Sequence, residues 1–138
     1  MTGSGEGTEQ TVPIVSNDDV VRARQLVRNL AQQCGLSLVD QTKLVTAASE
    51  LARNTLVYGG GGAMRCGAIH RDGRRGVRAV FEDSGPGIPD LDLALTDGWT
   101  SGGGLGLGLS GARRLVDDFA LESVVAVGTK VSVTKWAR

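Results

Sequence analysis

Three short stretches hold the residues best suited to chemistry. In Ser49-Glu50-Leu51-Ala52-Arg53-Asn54 an acid and an amide stand four residues apart. On a helix that spacing puts Glu50 and Asn54 on one face, while Ala48 and Leu51 turn toward a core. An acid and an amide one turn apart can polarise a nucleophile and hold a hydrated Mg²⁺. A solvated polar face is the alternative for these two residues taken alone. The second stretch is Glu82-Asp83-Ser84-Gly85-Pro86-Gly87-Ile88-Pro89-Asp90. Here an acid at a strand end precedes a Gly-Pro-Gly turn, so backbone can approach a flat ligand while a carboxylate accepts its hydrogen bond. A tight turn closed by an Asx bond is the plainer alternative. The third, Ser101-Gly102-Gly103-Gly104-Leu105-Gly106-Leu107-Gly108-Leu109, leads into a helical pattern. Glycine-rich backbone at a helix start presents N–H groups suited to phosphate. It lacks the Gly-Lys-Ser/Thr of a P-loop and does not follow a first strand as a dinucleotide fingerprint would. A linker is the alternative, but a linker should not lead straight into a patterned helix.

The elements that must position these residues follow from periodicity. Thr11 to Val15 reads as a short strand. Ser16 or Asn17 can cap the next helix, with Asp18 and Asp19 in its first turn. Apolar residues then recur at Val20, Ala23, Val27, Leu30 and Cys34, and Gly35 stops the pattern. Ser37 can cap a second helix running to about Tyr58, with Leu44, Ala48, Leu51 and Thr55 on its buried face. Ala63 to His70 and Gly76 to Glu82 read as a hairpin, with Val77, Ala79 and Phe81 on one side. A third helix is expected from about Leu105 to Phe119. A last pair of strands, Leu121 to Val127 and Lys130 to Trp136, is expected to turn at Gly128-Thr129. The expected class is α+β: a two-layer sandwich with a mixed, mostly antiparallel sheet covered on one face by three helices.

The composition agrees. With 138 residues the chain suits one compact domain, here residues 11–138 behind a flexible tail of residues 1–10. Of 21 glycines, nine fall between Gly85 and Gly111, so that region is expected to be a binding loop or lid. Fifteen basic and fifteen acidic residues cancel, which leaves no electrostatic footprint for nucleic acid or an anionic membrane. The absence of a long apolar run and of a leader-like apolar segment points to a soluble cytoplasmic protein. Two cysteines, Cys34 and Cys66, cannot build a disulfide framework or a zinc site and read as small core residues. His70, the one histidine, reads as an ordinary strand residue.

Each motif is weak alone, but their order is specific. Glu-x-x-x-Asn, then Asp-x-Gly-x-Gly, then Gly-x-Gly-Leu-Gly resembles the N, G1 and G2 boxes of the GHKL ATPase and kinase superfamily, with its Bergerat ATP-binding fold. From about Thr11 to Arg138 the chain further resembles the single-domain switch-protein serine/threonine kinases of bacterial partner-switching (stressosome) modules, the RsbT type. The stretches that carry this are Ala23 to Leu26, Ser49 to Asn54, Glu82 to Asp90, Asp97-Gly98-Trp99, the lid glycines, and Gly128-Thr129 before Lys135-Trp136. Trp99 stands where the family is expected to carry phenylalanine, and Leu107 is bulky within the Gly-x-Gly-x-Gly stretch.

The resemblance implies roles. Asp83 would accept a hydrogen bond from the adenine amino group, Gly87 would let the ring sit against the backbone with Gly85 also in the cofactor site, and Thr129 would bind adenine through its hydroxyl and a water. Asn54 would coordinate Mg²⁺, and Glu50 would polarise the attacking hydroxyl. Gly102, Gly103, Gly104, Leu105, Gly106 and Gly108 would bring lid and helix amides to the phosphates of ATP. The implied reaction moves the γ-phosphate to a serine on a STAS-domain antagonist, and the released kinase would activate a PPM-type phosphatase. An anti-sigma factor that phosphorylates its own antagonist shares the same ATP site and is the main rival. A histidine kinase would need an accepting histidine on a separate dimerisation helix, and an ATP-regulated adaptor would not need Glu50 with Asn54. A homodimer is compatible with the family.

Overall fold

The computed structural model describes residues 9–96 and 108–138. The element order is β1 (Gln10–Ile14), α1 (Asn17–Gln33), α2 (Leu38–Val57), β2 (Gly62–Arg71), β3 (Arg74–Asp83), α3 (Leu91–Ala94), α4 (Gly108–Arg114), β4 (Asp118–Val124) and β5 (Gly128–Trp136). The five strands form one sheet in the order β1-β2-β3-β5-β4, and every pairing is antiparallel. Helices α1 and α2 pack on each other and on one face of the sheet, and α4 packs against α2.

Local chemistry explains the two long helices. Ser16 caps α1 by accepting from the Asp19 N–H, and Ser37 caps α2 by accepting from the Asp40 N–H. The apolar stripe of α1 buries Ala23, Val27 and Leu30, and that of α2 buries Leu44, Ala48, Leu51 and Thr55. They meet Met64 and Cys66 of β2, Val77, Ala79 and Phe81 of β3, and Val131 and Val133 of β5. Each large side chain removed from water here contributes about 1.5–3 kcal/mol. The β2–β3 hairpin closes through Asp72-Gly73, the dipeptide favoured in two-residue turns.

Two expectations need correction. The third helix does not reach Phe119: α4 ends at Arg114, and Phe119 lies in β4 opposite Val133. The apolar spacing through Leu115, Val116 and Phe119 mimics helical period, and no glycine or proline marks the stop. What breaks it is tertiary: the Asp117 N–H donates to the Thr134 carbonyl at 2.9 Å, and the Asp117 carboxylate accepts from the Trp136 N–H at 2.8 Å. The other correction concerns Gly128-Thr129, which begins β5 rather than forming the turn. The reversal uses Val125-Ala126-Val127, with Ala126 at φ +66°. A short α3, capped by Asp90, was not foreseen. β1 begins at Gln10, one residue inside the expected tail.

The junction between β1 and α1 depends on Asp19. Its carboxylate accepts from the Val15 N–H at 2.9 Å and pairs with Arg22. The backbone bond first, then Arg22, hold this carboxyl below the usual range. A depressed folded value means that the stabilisation is fully present above the unfolded value of about 3.9 and is lost as pH falls through the folded value. Asp19→Asn should therefore lower the melting temperature at pH 7. Thermal melts in acid should show that gap closing.

Burial pushes the Cys66 thiol up to about 12 and raises that of Cys34. Both side chains lie in the core, and Cys34 Sγ donates to the Gly76 carbonyl at 3.6 Å. At neutral pH both are shielded, protonated thiols. A thiol-reactive dye should label neither in the native protein and both after denaturation.

Candidate active site

The register of three neighbouring strands builds the floor of the site. Phe81 and Val131 are buried core residues. Asp83 stands two residues after Phe81 and Thr129 two residues before Val131, so alternation must place both on the same helix-facing side. Asp83 pairs with Thr129 across β3–β5, and Thr129 pairs with Ser123 across β5–β4. Asp83, Thr129 and Ser123 thus form one polar row at the edge of an apolar core.

The end of α2 forms the wall above this row. A cavity of about 270 Å³ lies between them, and its lining includes Asn54 and Tyr58 of α2, Asp83, Gly87, Ile88 and Thr129. Leu51, Thr55, Phe81, Leu109 and Val131 close its apolar side. An apolar slot with a few converging polar groups suits a flat heterocycle.

Glycines let these parts approach. A Cβ on Gly59 would lie 2.5 Å from Asp83 Oδ2, so only glycine lets the α2 terminus sit over this carboxylate. Gly87 has φ +77°, and a Cβ there would run into the Val124 carbonyl, where the Gly85–Pro89 turn crosses the β4–β5 hairpin. The Ala126 N–H donates to the Pro86 carbonyl at 2.8 Å and ties that turn down. Asp83 Oδ1 accepts from the Gly85 N–H at 2.8 Å, which orients the carboxylate.

Four of the residues named from sequence, Asn54, Asp83, Gly87 and Thr129, line the same cavity. Glu50 does not line it. It is half-buried on α2, one turn before Asn54 on the same helix face. Gly85 does not line it either: it packs against the Gly59 backbone and holds Asp83. Gly108 is buried at the start of α4, next to the cavity residue Leu109. Gly102, Gly103, Gly104, Leu105 and Gly106 lie outside the described residues, as does Trp99. Arg53 is exposed and lies off the cavity. Tyr58 and Gly59 were missed from sequence, although they follow Asn54 by four and five residues. Ile88 lay within the second stretch without a role of its own, and Ser123 carried no sequence signal.

The described residues contain no cluster of three His, Cys, Asp or Glu able to hold a metal. None of their helices is long and apolar enough to cross a membrane. The Asn54 amide fits Mg²⁺ all the same, because that ion takes one or two protein ligands and fills its shell with water and phosphate oxygens.

Comparison with known proteins agrees with this geometry. Residues 39–137 match the family of histidine kinase-, DNA gyrase B- and HSP90-like ATPases. The chain is 44% identical over 130 residues to the serine/threonine-protein kinase RsbT of Bacillus subtilis (strain 168), covering 94% of this chain and 98% of that one. It is 27% identical over 122 residues to the anti-sigma F factor of Clostridium novyi (strain NT), covering 82% of each. The solved RsbU and RsbW domains of Rv1364c from Mycobacterium tuberculosis share the fold, with a TM-score of 0.64 at 20% identity over 96% of this chain, which spans 33% of that chain. A chain of the SiaB–SiaC complex from Pseudomonas aeruginosa does so with a TM-score of 0.55 at 14% identity, covering 96% of this chain and 91% of that one. This chain therefore belongs to the histidine kinase-, DNA gyrase B- and HSP90-like ATPase family and, within it, to the RsbT-type serine/threonine-protein kinases.

Proposed function

We propose that residues 11–138 act as one kinase domain that transfers the γ-phosphate of ATP to a serine or threonine of a STAS-domain antagonist, in a cytoplasmic bacterial stress-response switch. The observation that carries this reading is the row of Asp83 and Thr129 beneath Asn54, with Glu50 one turn earlier on the same helix. Adenine occupies the slot, with its amino group on Asp83 and its ring against Gly87. Asn54 would hold Mg²⁺, which would supply neutralisation of the phosphate charge, and the phosphates would be met by the Asn54–Glu50 face of α2. Glu50 accepts the proton of the attacking hydroxyl as it forms its bond to phosphorus and ADP leaves. Positioning and charge neutralisation dominate such transfers. Gly108 and the glycines of residues 102–106 supply amides to the phosphates.

The 44% identity to RsbT supports the kinase and its switch role. Release from the antagonist frees the kinase to bind and activate a PPM-type phosphatase. The second reading, an anti-sigma factor with kinase activity, is supported by the 27% identity to an anti-sigma F factor. Gel filtration separates the two readings. With ATP, the protein should co-elute with a STAS antagonist or a PPM-type phosphatase and not with a sigma factor. A stable sigma-factor complex would move the assignment to the second reading.

A further inference from the structure

Val77, Ala79 and Phe81 of β3 pack into the core beneath the helices, so alternation turns Arg74, Gly76 and Arg78 to the opposite face of the sheet. Register adds their neighbours on that face. Arg71 stands directly opposite Arg74, Trp136 opposite Gly76, and Thr134 opposite Arg78. From His70 to Arg78 the chain carries four arginines and one acid, although its net charge is zero.

Like charges set directly across a strand pair work against folding. Here an aromatic ring holds them. Gly76 leaves room for Trp136, whose ring a Cβ there would meet at 2.7 Å. The Trp136 indole N–H donates to Asp118 Oδ2 at 3.0 Å, which anchors the ring. The guanidiniums of Arg71 and Arg74 lie 5.0 and 5.8 Å from its centroid. Stacking orders both groups through their faces and leaves their N–H edges open. Arg71, Arg74 and Arg78 are exposed, and none pairs with a carboxylate among the described residues. Arg71, Arg78, Thr134 and Trp136 line a cavity of about 240 Å³ beside them.

We propose that this end of the uncovered sheet face is a docking site for an acidic segment of a protein partner, whose carboxylates bind Arg71, Arg74 and Arg78. A carboxylate takes a guanidinium edge with two parallel hydrogen bonds. Ordering by Trp136 lowers the entropy lost when the partner binds. The site stands apart from the nucleotide cavity: β3 separates Arg74 from Asp83 by its whole length, about 30 Å, and the cavity opens on the other face. A nucleic-acid backbone fits less well. Arg74 and Arg78 span only about 14 Å. Further along the same face, Arg65 is already paired with Glu82, and Glu122 stands beside Lys130. A continuing row of phosphates would meet those carboxylates.

The full chain is tested by fluorescence anisotropy with a labelled deca-glutamate peptide. Wild type should bind it at low salt, and the affinity should fall as salt is raised. Arg78→Gln keeps both stacked arginines and should weaken binding about threefold, and Arg71→Gln/Arg78→Gln about tenfold. Arg24→Gln, which removes an exposed arginine of α1, should bind like wild type. ATP affinity and melting temperature should be unchanged in all three. Absence of peptide binding at low salt, or full binding by the double variant, would remove the site. Equal weakening by Arg24→Gln would reduce the effect to overall charge and overturn the proposal. A DNA duplex that bound more tightly than the peptide, and was lost in the double variant, would overturn it in favour of a nucleic-acid surface.

Discussion

Glu50→Gln is expected to cut phosphoryl transfer by about 10²- to 10⁴-fold, the usual contribution of a positioned general base. Glutamine keeps the length and polarity of the side chain but cannot take a proton. Glu50 lies off the cavity lining, one turn before Asn54, so the substitution leaves the adenine slot untouched. ATP affinity should stay near wild type while the rate collapses. Single-turnover transfer and nucleotide titration on one preparation check both halves. A variant with normal transfer would remove Glu50 from the chemistry, and one that also lost ATP would make it a binding residue.

Asp83→Asn should weaken ATP binding by about ten- to a hundredfold, the worth of a hydrogen bond to a charged acceptor. The structure says how. Asp83 Oδ1 is engaged by the Gly85 N–H, so the asparagine oxygen takes that place. The amide NH₂ then occupies the other position, and a donor meets the donor amino group of adenine. The fold should survive, since the Gly85 bond is kept. Melting temperature without nucleotide should change little, while the shift produced by ATP should shrink. Unchanged affinity would take Asp83 out of base recognition.

The legible and illegible parts of this chain differ in a physical way. Helices α1 and α2 were legible because caps, stripe and stop all act within a few residues. The β2–β3 hairpin was legible because Asp-Gly dictates its own turn. The individual motifs were also legible, since each is a local composition. What no local signal reveals is register. Asp83 and Thr129 are 46 positions apart in sequence, and only the β3–β5 pairing sets them side by side. Ser123 joins them by the same means and reads in sequence as an ordinary strand serine. The end of α4 was misplaced because the bonds of Asp117 to β5 stop the helix, and their partners lie 17 and 19 residues downstream.

The chemical identity of the phosphorylated product tests the central claim most directly. Wild-type protein is incubated with γ-labelled ATP, Mg²⁺ and a STAS-domain antagonist, and the product is treated with acid before phosphoamino acid separation. The account predicts acid-stable label on a serine or threonine of the antagonist, absent with Glu50→Gln. Acid-labile label on a histidine, or nucleotide binding with no transfer to any hydroxyl, would contradict it.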